Sequence, residues 1–355
     1  MSETPLQAVA GELAKTADAV TIHEPMARHT TFKIGGPADV FAVVRTTEQL
    51  VHAVNICRES QAPFFLLGGG SNILVSDRGV RGVVIRNKSS GLSMDNAPDD
   101  TPDSRTVRVD SGYPMPKFAV DIGRYGLTGC EFLQSIPGTI GGGARQNVRF
   151  RNASQFDRYG GLRETRETDC YLGDFVTDVE VLTERGERKA LANRECGFTY
   201  TGITARGFEN NSPIITRLRL KLQRGSPGAV RKRLQQYRAW RAHRWATLSN
   251  AKVAQPEDGF TGTRARQPIG ATAGCVFFNI PNEHNHPTGR LIDLCGLKGC
   301  RMGNAEISAA HANYIVNLGG AKAVDVRALM ELAKEKVFAR FGVELVEEVQ
   351  LVGEW

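Results

Sequence analysis

Residues 64–75, reading FFLLGGGSNILV, place the tightest constraint on what this chain can fold into. An apolar run stops at Gly68-Gly69-Gly70 and resumes after Ser71-Asn72, the pattern of a buried strand, a tight loop and a second strand. Three consecutive glycines bring bare backbone to the surface. Without Cβ atoms, successive N–H groups can turn toward one anion and tolerate φ > 0, while Ser71 and Asn72 add side-chain donors. A diphosphate fits such a cradle, and a glycine-rich hairpin without a ligand fits the same residues. Because the loop leads into a strand rather than a helix, phosphate binding of the Rossmann kind is not expected.

The rest of the chain must supply a core and a partner for that loop. At 355 residues and 41% hydrophobic content there is room for about two domains. No stretch approaches the ~18–20 apolar residues of a spanning helix, and the first 20 or so residues lack a basic-then-apolar signal pattern, so no membrane association and a cytoplasmic location are expected. The seven cysteines, at 57, 130, 170, 196, 275, 295 and 300, are odd in number and form no CxxC pair, which suggests neither a disulfide framework nor a metal site. Most are expected to be buried thiols. Lys and Arg exceed Asp and Glu, 45 against 38, which suits an anionic ligand. Much of the excess lies at residues 217–244, where Val230, Leu234 and Tyr237 fall at helical spacing and Arg231, Arg233, Arg238 and Arg241 lie mostly elsewhere on the cylinder. A solvated basic helix face explains the run. No recognised nucleic-acid motif accompanies it, so no nucleic-acid partner is expected.

In chain order, the spacing predicts one helix over the first 20 or so residues, with Leu6, Val9, Leu13 and Ala17 on one side, then two short strands around Gly35-Gly36-Pro37. A helix over residues 46–60 begins at an N-cap Thr46. Strands flank the glycine loop and follow from Arg81, and residues 87–104 read as a polar surface excursion. A second unit starts near Thr106 with a strand, a helix over residues 116–125, and a stretch with glycines at 126, 129, 138, 141, 142 and 143. That density implies backbone packed against something flat or against phosphate. Antiparallel strands follow, turning at residues 184–187. After Gln223 the basic helix opens a smaller α+β unit with helices at AEISAAHANYIVN and AVDVRALMELAKEKVFARFG and a last strand at VELVEEVQLVG.

With these pieces in place, the chain resembles the UDP-N-acetylenolpyruvoylglucosamine reductase family, also called UDP-N-acetylmuramate dehydrogenases, flavoenzymes of peptidoglycan synthesis. The matching residues are HTTFKIGGPAD (29–39), LGGGSNILVSDRGVRGVVI (67–85), IPGTIGG (136–142), AGCVFFNIP (273–281), GRLIDLCGLKG (289–299), HANYIVN (311–317) and FGVELVEEVQLVG (341–353). The resemblance implies an α+β chain: an FAD-binding vanillyl-alcohol-oxidase/PCMH-type fold of two subdomains, residues 1–88 and 89–223, and a C-terminal α+β substrate-binding domain, residues 224–355, whose last strand near 345–353 returns to the active site. It implies an NADPH-dependent flavin oxidoreductase acting on a UDP-sugar, a monomer, serving cell wall biogenesis and with it cell shape and division. A flavoprotein of the same fold with altered substrate or lost reductase activity is the alternative.

Carried over residue by residue, the resemblance puts Ile34, Gly35, Gly36, Gly68, Gly69, Gly70, Ser71, Asn72, Ile136, Pro137, Gly138, Thr139, Gly141 and Gly142 at FAD. It makes Cys275, in the family's A-G-[SC]-x-F motif, the proton donor, and Glu348 the catalytic glutamate. A thiol with pKa ~8.5 is a better acid than a serine hydroxyl, so Cys275 suits that task; a buried small residue on a strand is the plainer possibility. Tyr200, Arg206, Arg266, Gln267, Asn279 and Asn313 become substrate-side candidates. Three departures stand out. The arginine of the family's F-x-Y-R is replaced by Thr201, with Arg206 a candidate substitute. The lysine of F-K-N-P is replaced by Phe278, while Asn279 remains. Small residues expected near the flavin have become Arg149, Phe150 and Arg151. The two arginines stand either as repositioned cations or as bulk in the substrate pocket.

Overall fold

The computed structural model describes residues 5–95, 97–150, 170–204, 213–246, 270–279 and 286–355, excepting the side chains of residues 240–246. Two compact units form: Met1–His23, Asp39–Gly69 and Gly82–Trp240 make the first, and Glu24–Ala38, Gly70–Arg81 and Arg241–Trp355 the second.

In the first unit, Thr46 caps the Thr47–Glu59 helix by accepting from the Gln49 N–H at 3.1 Å. Apolar residues three and four apart then turn Leu50, Ala53, Val54 and Cys57 inward, where they meet Val9 and Leu13 of the Pro5–Ala14 helix. This core covers a sheet ordered Ala19–Pro25, Pro37–Val44, Val80–Asn87, Phe64–Leu67, the last two parallel with Phe64 opposite Val83. A second, antiparallel sheet runs Arg188–Ala192, Val176–Leu182, Ile214–Arg224, Ser104–Asp110, Leu92–Asp95. Its apolar face packs Val107, Val109, Leu218 and Leu220 against Phe118 and Ile122 of the Met115–Arg124 helix and against Phe132.

In the second unit, Ile73–Val75 runs parallel to Gln350–Val352, with Leu74 opposite Leu351. A three-stranded antiparallel sheet, Arg301–Met302, Ala305–Ile307 and Ile315–Asn317, packs with the Ala323–Phe341 helix around Phe32, Phe277, Leu291, Val326, Leu329 and Met330. Among the described residues no helix is long and apolar enough to cross a membrane.

Several expectations are corrected. The strands beside the glycine loop are not a hairpin, because Phe64–Leu67 pairs with Val80–Asn87 whereas Ile73–Val75 pairs with Gln350–Val352. The first helix ends at Ala14 and a strand starts at Ala19. Residues 29–36 form no strand: the Thr30 hydroxyl donates to the Ile34 carbonyl at 3.0 Å, Lys33 lies at φ 57°, and Thr31 N–H donates to Gly70 O at 2.9 Å, so local bonds replace a ladder. The polar stretch after Asn87 contains an edge strand, Leu92–Asp95, whose charged residue pairs with Arg108 and Arg219 instead of signalling a loop. Residues 305–317, read as a helix, are an antiparallel pair with Ile307 opposite Ile315; tertiary pairing of β-branched residues overrides the alanine content. The last strand spans only Gln350–Val352. Three of the seven thiols are buried and four partly exposed, and none is in a disulfide. The basic run is a helix, Pro227–Ala246, with Val230 and Tyr237 buried as expected.

Candidate active site

The glycine run divides after Gly69. In the first unit, Gly69 lies flat against Gly138: a Cβ added to Gly69 would come within 2.4 Å of the Gly138 Cα, so only glycine permits this approach. Gly68 likewise faces the Thr139 hydroxyl, 2.7 Å from an added Cβ. The 136–142 stretch is fixed from behind. Ile140 N–H donates to Tyr113 O at 2.8 Å and Gly141 N–H to Ser111 O at 2.8 Å, and the Thr139 side chain caps the Ile140–Arg145 helix by accepting from Gly142 N–H. Among the described residues the amide N–H groups of Gly68, Gly69, Gly138 and Thr139 have no acceptor. Buried Gln134 Oε1, just ahead of this stretch, likewise has no donor among the described residues. Burial lowers the pKa of Arg145 at the helix end.

Beside that helix, Asn147 occupies left-handed backbone at φ 43° and ties the chain to a small hairpin, Phe198–Thr199 with Gly202–Ile203. Its Nδ2 donates to Thr199 O at 3.0 Å and its Oδ1 accepts from Gly173 N–H at 2.9 Å. The Arg149 guanidinium carbon then lies 3.7 Å from the centroid of the Tyr200 ring and 6.0 Å from that of Tyr171. Cys130 and Cys170 are pushed up by burial, Cys170 to about 12, so neither is a thiolate at neutral pH.

In the second unit, Cys275 pairs with Tyr314 in an isolated antiparallel bridge. The neighbouring residues are locked in place. Val276 N–H donates to Asn313 O at 2.9 Å, and the Asn313 carboxamide, 1% exposed, accepts from Phe277 N–H at 3.0 Å and donates to Phe277 O at 2.8 Å. Glu348 N–H donates to Val276 O at 2.8 Å, which brings the Glu348 backbone alongside the Cys275 segment. Asn72 holds the same segment: its Nδ2 donates to Glu348 O at 2.9 Å and its carbonyl accepts from Gln350 N–H at 3.0 Å. Gly274, before the cysteine, has φ 91° and, among the described residues, no atom within 4 Å of an added Cβ, so no described residue fills the space in front of it.

The expected site residues therefore fall into two groups. Gly68, Gly69 and residues 136–142 gather in the first unit with Tyr200; Cys275, Glu348, Asn279, Asn313, Ile34–Gly36 and Gly70–Asn72 lie in the second. Gly36 is committed to the fold, since its N–H donates to Ser76 O at 2.9 Å and an added Cβ would sit 2.1 Å from Asp77 O. Ile34 is a core residue at 2% exposure. Asn279 accepts from Thr288 N–H at 2.9 Å at the start of the Thr288–Leu294 helix. Arg151, Arg206, Arg266 and Gln267 lie outside the described residues. The Asn313 lock, the Asn72 clamp and the Arg149–Tyr200 stack were not foreseen, because each depends on residues far apart in the chain.

Two family models match the chain. A family model described as an FAD binding domain matches residues 38–191, and one described as UDP-N-acetylenolpyruvoylglucosamine reductase, C-terminal domain, matches residues 266–352. A UDP-N-acetylenolpyruvoylglucosamine reductase from Desulfosudis oleivorans is 34% identical, covering 95% of this chain and 96% of its own; one from Halalkalibacterium halodurans is 33% identical over 94% and 95%. The chain belongs to the UDP-N-acetylenolpyruvoylglucosamine reductase family. A crystal structure of the enzyme from Thermus caldophilus aligns with a TM-score of 0.63 at 28% identity, covering 94% of this chain and 98% of that one. Within the family framework, the residues of the first unit fit a diphosphate-bearing flavin. The Gly68, Gly69, Gly138 and Thr139 amides and the close Gly69–Gly138 approach make a bare-backbone cradle for an anion.

Proposed function

We propose that this chain is an FAD-dependent reductase that converts UDP-N-acetylglucosamine enolpyruvate to UDP-N-acetylmuramate with NADPH. It works as a cytoplasmic monomer in peptidoglycan precursor synthesis, and so supports cell shape and division. The observation that carries the reading is the Val276–Glu348 pairing, which sets Cys275 and Glu348 on adjoining backbones beside space at Gly274 that no described residue fills, in a chain related to these reductases over nearly its full length. The division into FAD-binding subdomains at residues 1–88 and 89–223 and a substrate-binding domain at 224–355 is part of the proposal; the three hydrophobic cores centre on these stretches, with Phe32, Ile34 and Leu74 packing into the last and Tyr237 into the middle one.

FAD, when bound, would supply hydride chemistry between NADPH and the outer carbon of the enol ether. The charge that this pushes onto the substrate carboxylate must be stabilised, and the inner carbon must receive a proton. Cys275 donates that proton. Glu348 orients the thiol and assists the transfer, and Asn313 acts through Phe277, holding the cysteine segment at fixed height. The Gly68, Gly69, Gly138 and Thr139 amides, with Pro137, Gly141 and Gly142 in the same stretch, would hold the cofactor diphosphate.

Anaerobic stopped-flow spectroscopy tests the assignment. Cys275→Ala should leave flavin reduction by NADPH within about twofold of wild type and slow reoxidation by the enolpyruvyl sugar nucleotide by ~10²–10⁴, with Cys275→Ser in between. Equal slowing of both half-reactions would make Cys275 structural. A wild-type flavin that this substrate does not reoxidise would overturn the function.

A further inference from the structure

The geometry of the first unit points to a specific task for Arg149, and it rests on the proposed reaction. Its guanidinium is fixed rather than free to sweep. The stem is anchored at a bridge in which Arg149 pairs with Tyr171, and next to it buried Phe150 meets the Tyr237 ring edge-on at 5.1 Å. The head lies on the Tyr200 face at 3.7 Å, and Asn147 and the close approach of Gly202 to Arg145 O bind the hairpin carrying Tyr200 to the segment carrying Arg149. Among the described residues Arg149 has no carboxylate partner, whereas Arg217, Arg219 and Arg233 of the same unit do. Stacking occupies the face of a guanidinium and leaves its in-plane N–H fork directed outward. Two parallel N–H groups match the two oxygens of a carboxylate. The hairpin turn contributes no charge of its own, since Thr199 and Thr201 pair hydroxyl to hydroxyl at 3.2 Å.

We infer that Arg149, stacked on Tyr200, is this chain's receptor for the carboxylate of the enolpyruvyl group. Enolate character develops on that carboxylate as hydride is added, so the contact strengthens in the transition state and acts on the rate as well as on binding. Diphosphate groups, with more charge and no plane, are left to the glycine backbone.

The test uses the FAD-loaded enzyme and calorimetric titration with two ligands, UDP-N-acetylmuramate, which bears the carboxylate, and UDP-N-acetylglucosamine, which lacks it. Wild type should prefer the first. R149A should erase that preference and slow substrate-driven reoxidation by about 10²-fold, R149K should keep part of both, and Y200L, which retains the charge but frees it, should fall between. If R149A is recovered without flavin, the ligand preference of R149K and Y200L decides. An unchanged preference in these variants, equal weakening of both ligands, or a loss confined to NADPH affinity would each overturn the inference. Failure of wild type itself to turn over the enolpyruvyl substrate would instead overturn the reaction on which it rests.

Discussion

A single hydrogen at Gly69 decides whether two strips of backbone can meet. With an added Cβ 2.4 Å from the Gly138 Cα, Gly69→Ala must push the two apart. The expected cost is about 1–3 kcal/mol, together with a lower flavin-to-protein ratio by absorbance near ~450 nm. Full flavin content with an unchanged Tm would remove Gly69 from the cradle. At this scale the sequence was informative where chemistry is local. Three glycines in a row announce bare backbone before any partner is known. Arg149 was visible as an odd residue, but its meaning depended on Tyr200, which only the fold brings under it. Gly36 shows the opposite limit: a glycine matching a cofactor motif is held by its packing on the Ser76–Asp77 backbone.

At the scale of elements, helices with regular apolar spacing were legible, as at Thr47–Glu59 and Ala323–Phe341, because the periodicity lies within the element itself, although the first amides of the second helix, at Ala323 and Val324, donate to the distant Asp77 carboxylate. Short strands were not. Ala305–Ile307 and Ile315–Asn317 exist through each other, and Cys275 sits in an isolated bridge defined by a partner elsewhere in the chain. One buried side chain holds that irregular region. Asn313→Ala would leave both the N–H and the carbonyl of Phe277 without partners, at a cost of about 2–5 kcal/mol in urea denaturation. It should also slow the substrate half-reaction more than the NADPH half-reaction, because the shift falls on the segment carrying Cys275. Asn313→Asp, which keeps the acceptor, should lose less. An Asn313→Ala enzyme as stable as wild type would show that the lock carries no energy.

For the molecule as a whole, buried thiols set an alkaline limit. Burial raises Cys57 to about 12 and Cys170 to about 12, and burial with nearby Glu195 raises Cys196 to about 11. A folded pKa above the unfolded value of ~8.5 contributes stability that is complete below that pH and is lost as pH rises toward 11–12. The urea midpoint should therefore decline above about pH 8.5, and Cys57→Ala should flatten that decline; the same slope in both proteins would exclude Cys57 as a source. The overall α+β plan and the family were legible because several motifs occur in one order along the chain, whereas the pairing of distant strands left no local mark. That pairing has a consequence for biosynthesis. Asn72 and Glu348, hydrogen-bonded through side chain and carbonyl, are 276 residues apart. At ~5–20 residues per second the ribosome needs roughly 15–55 s to make the intervening chain. Throughout that interval Ile73–Val75 is an apolar segment without its parallel neighbour, so the nascent chain carries an unpaired edge until Gln350–Val352 emerges.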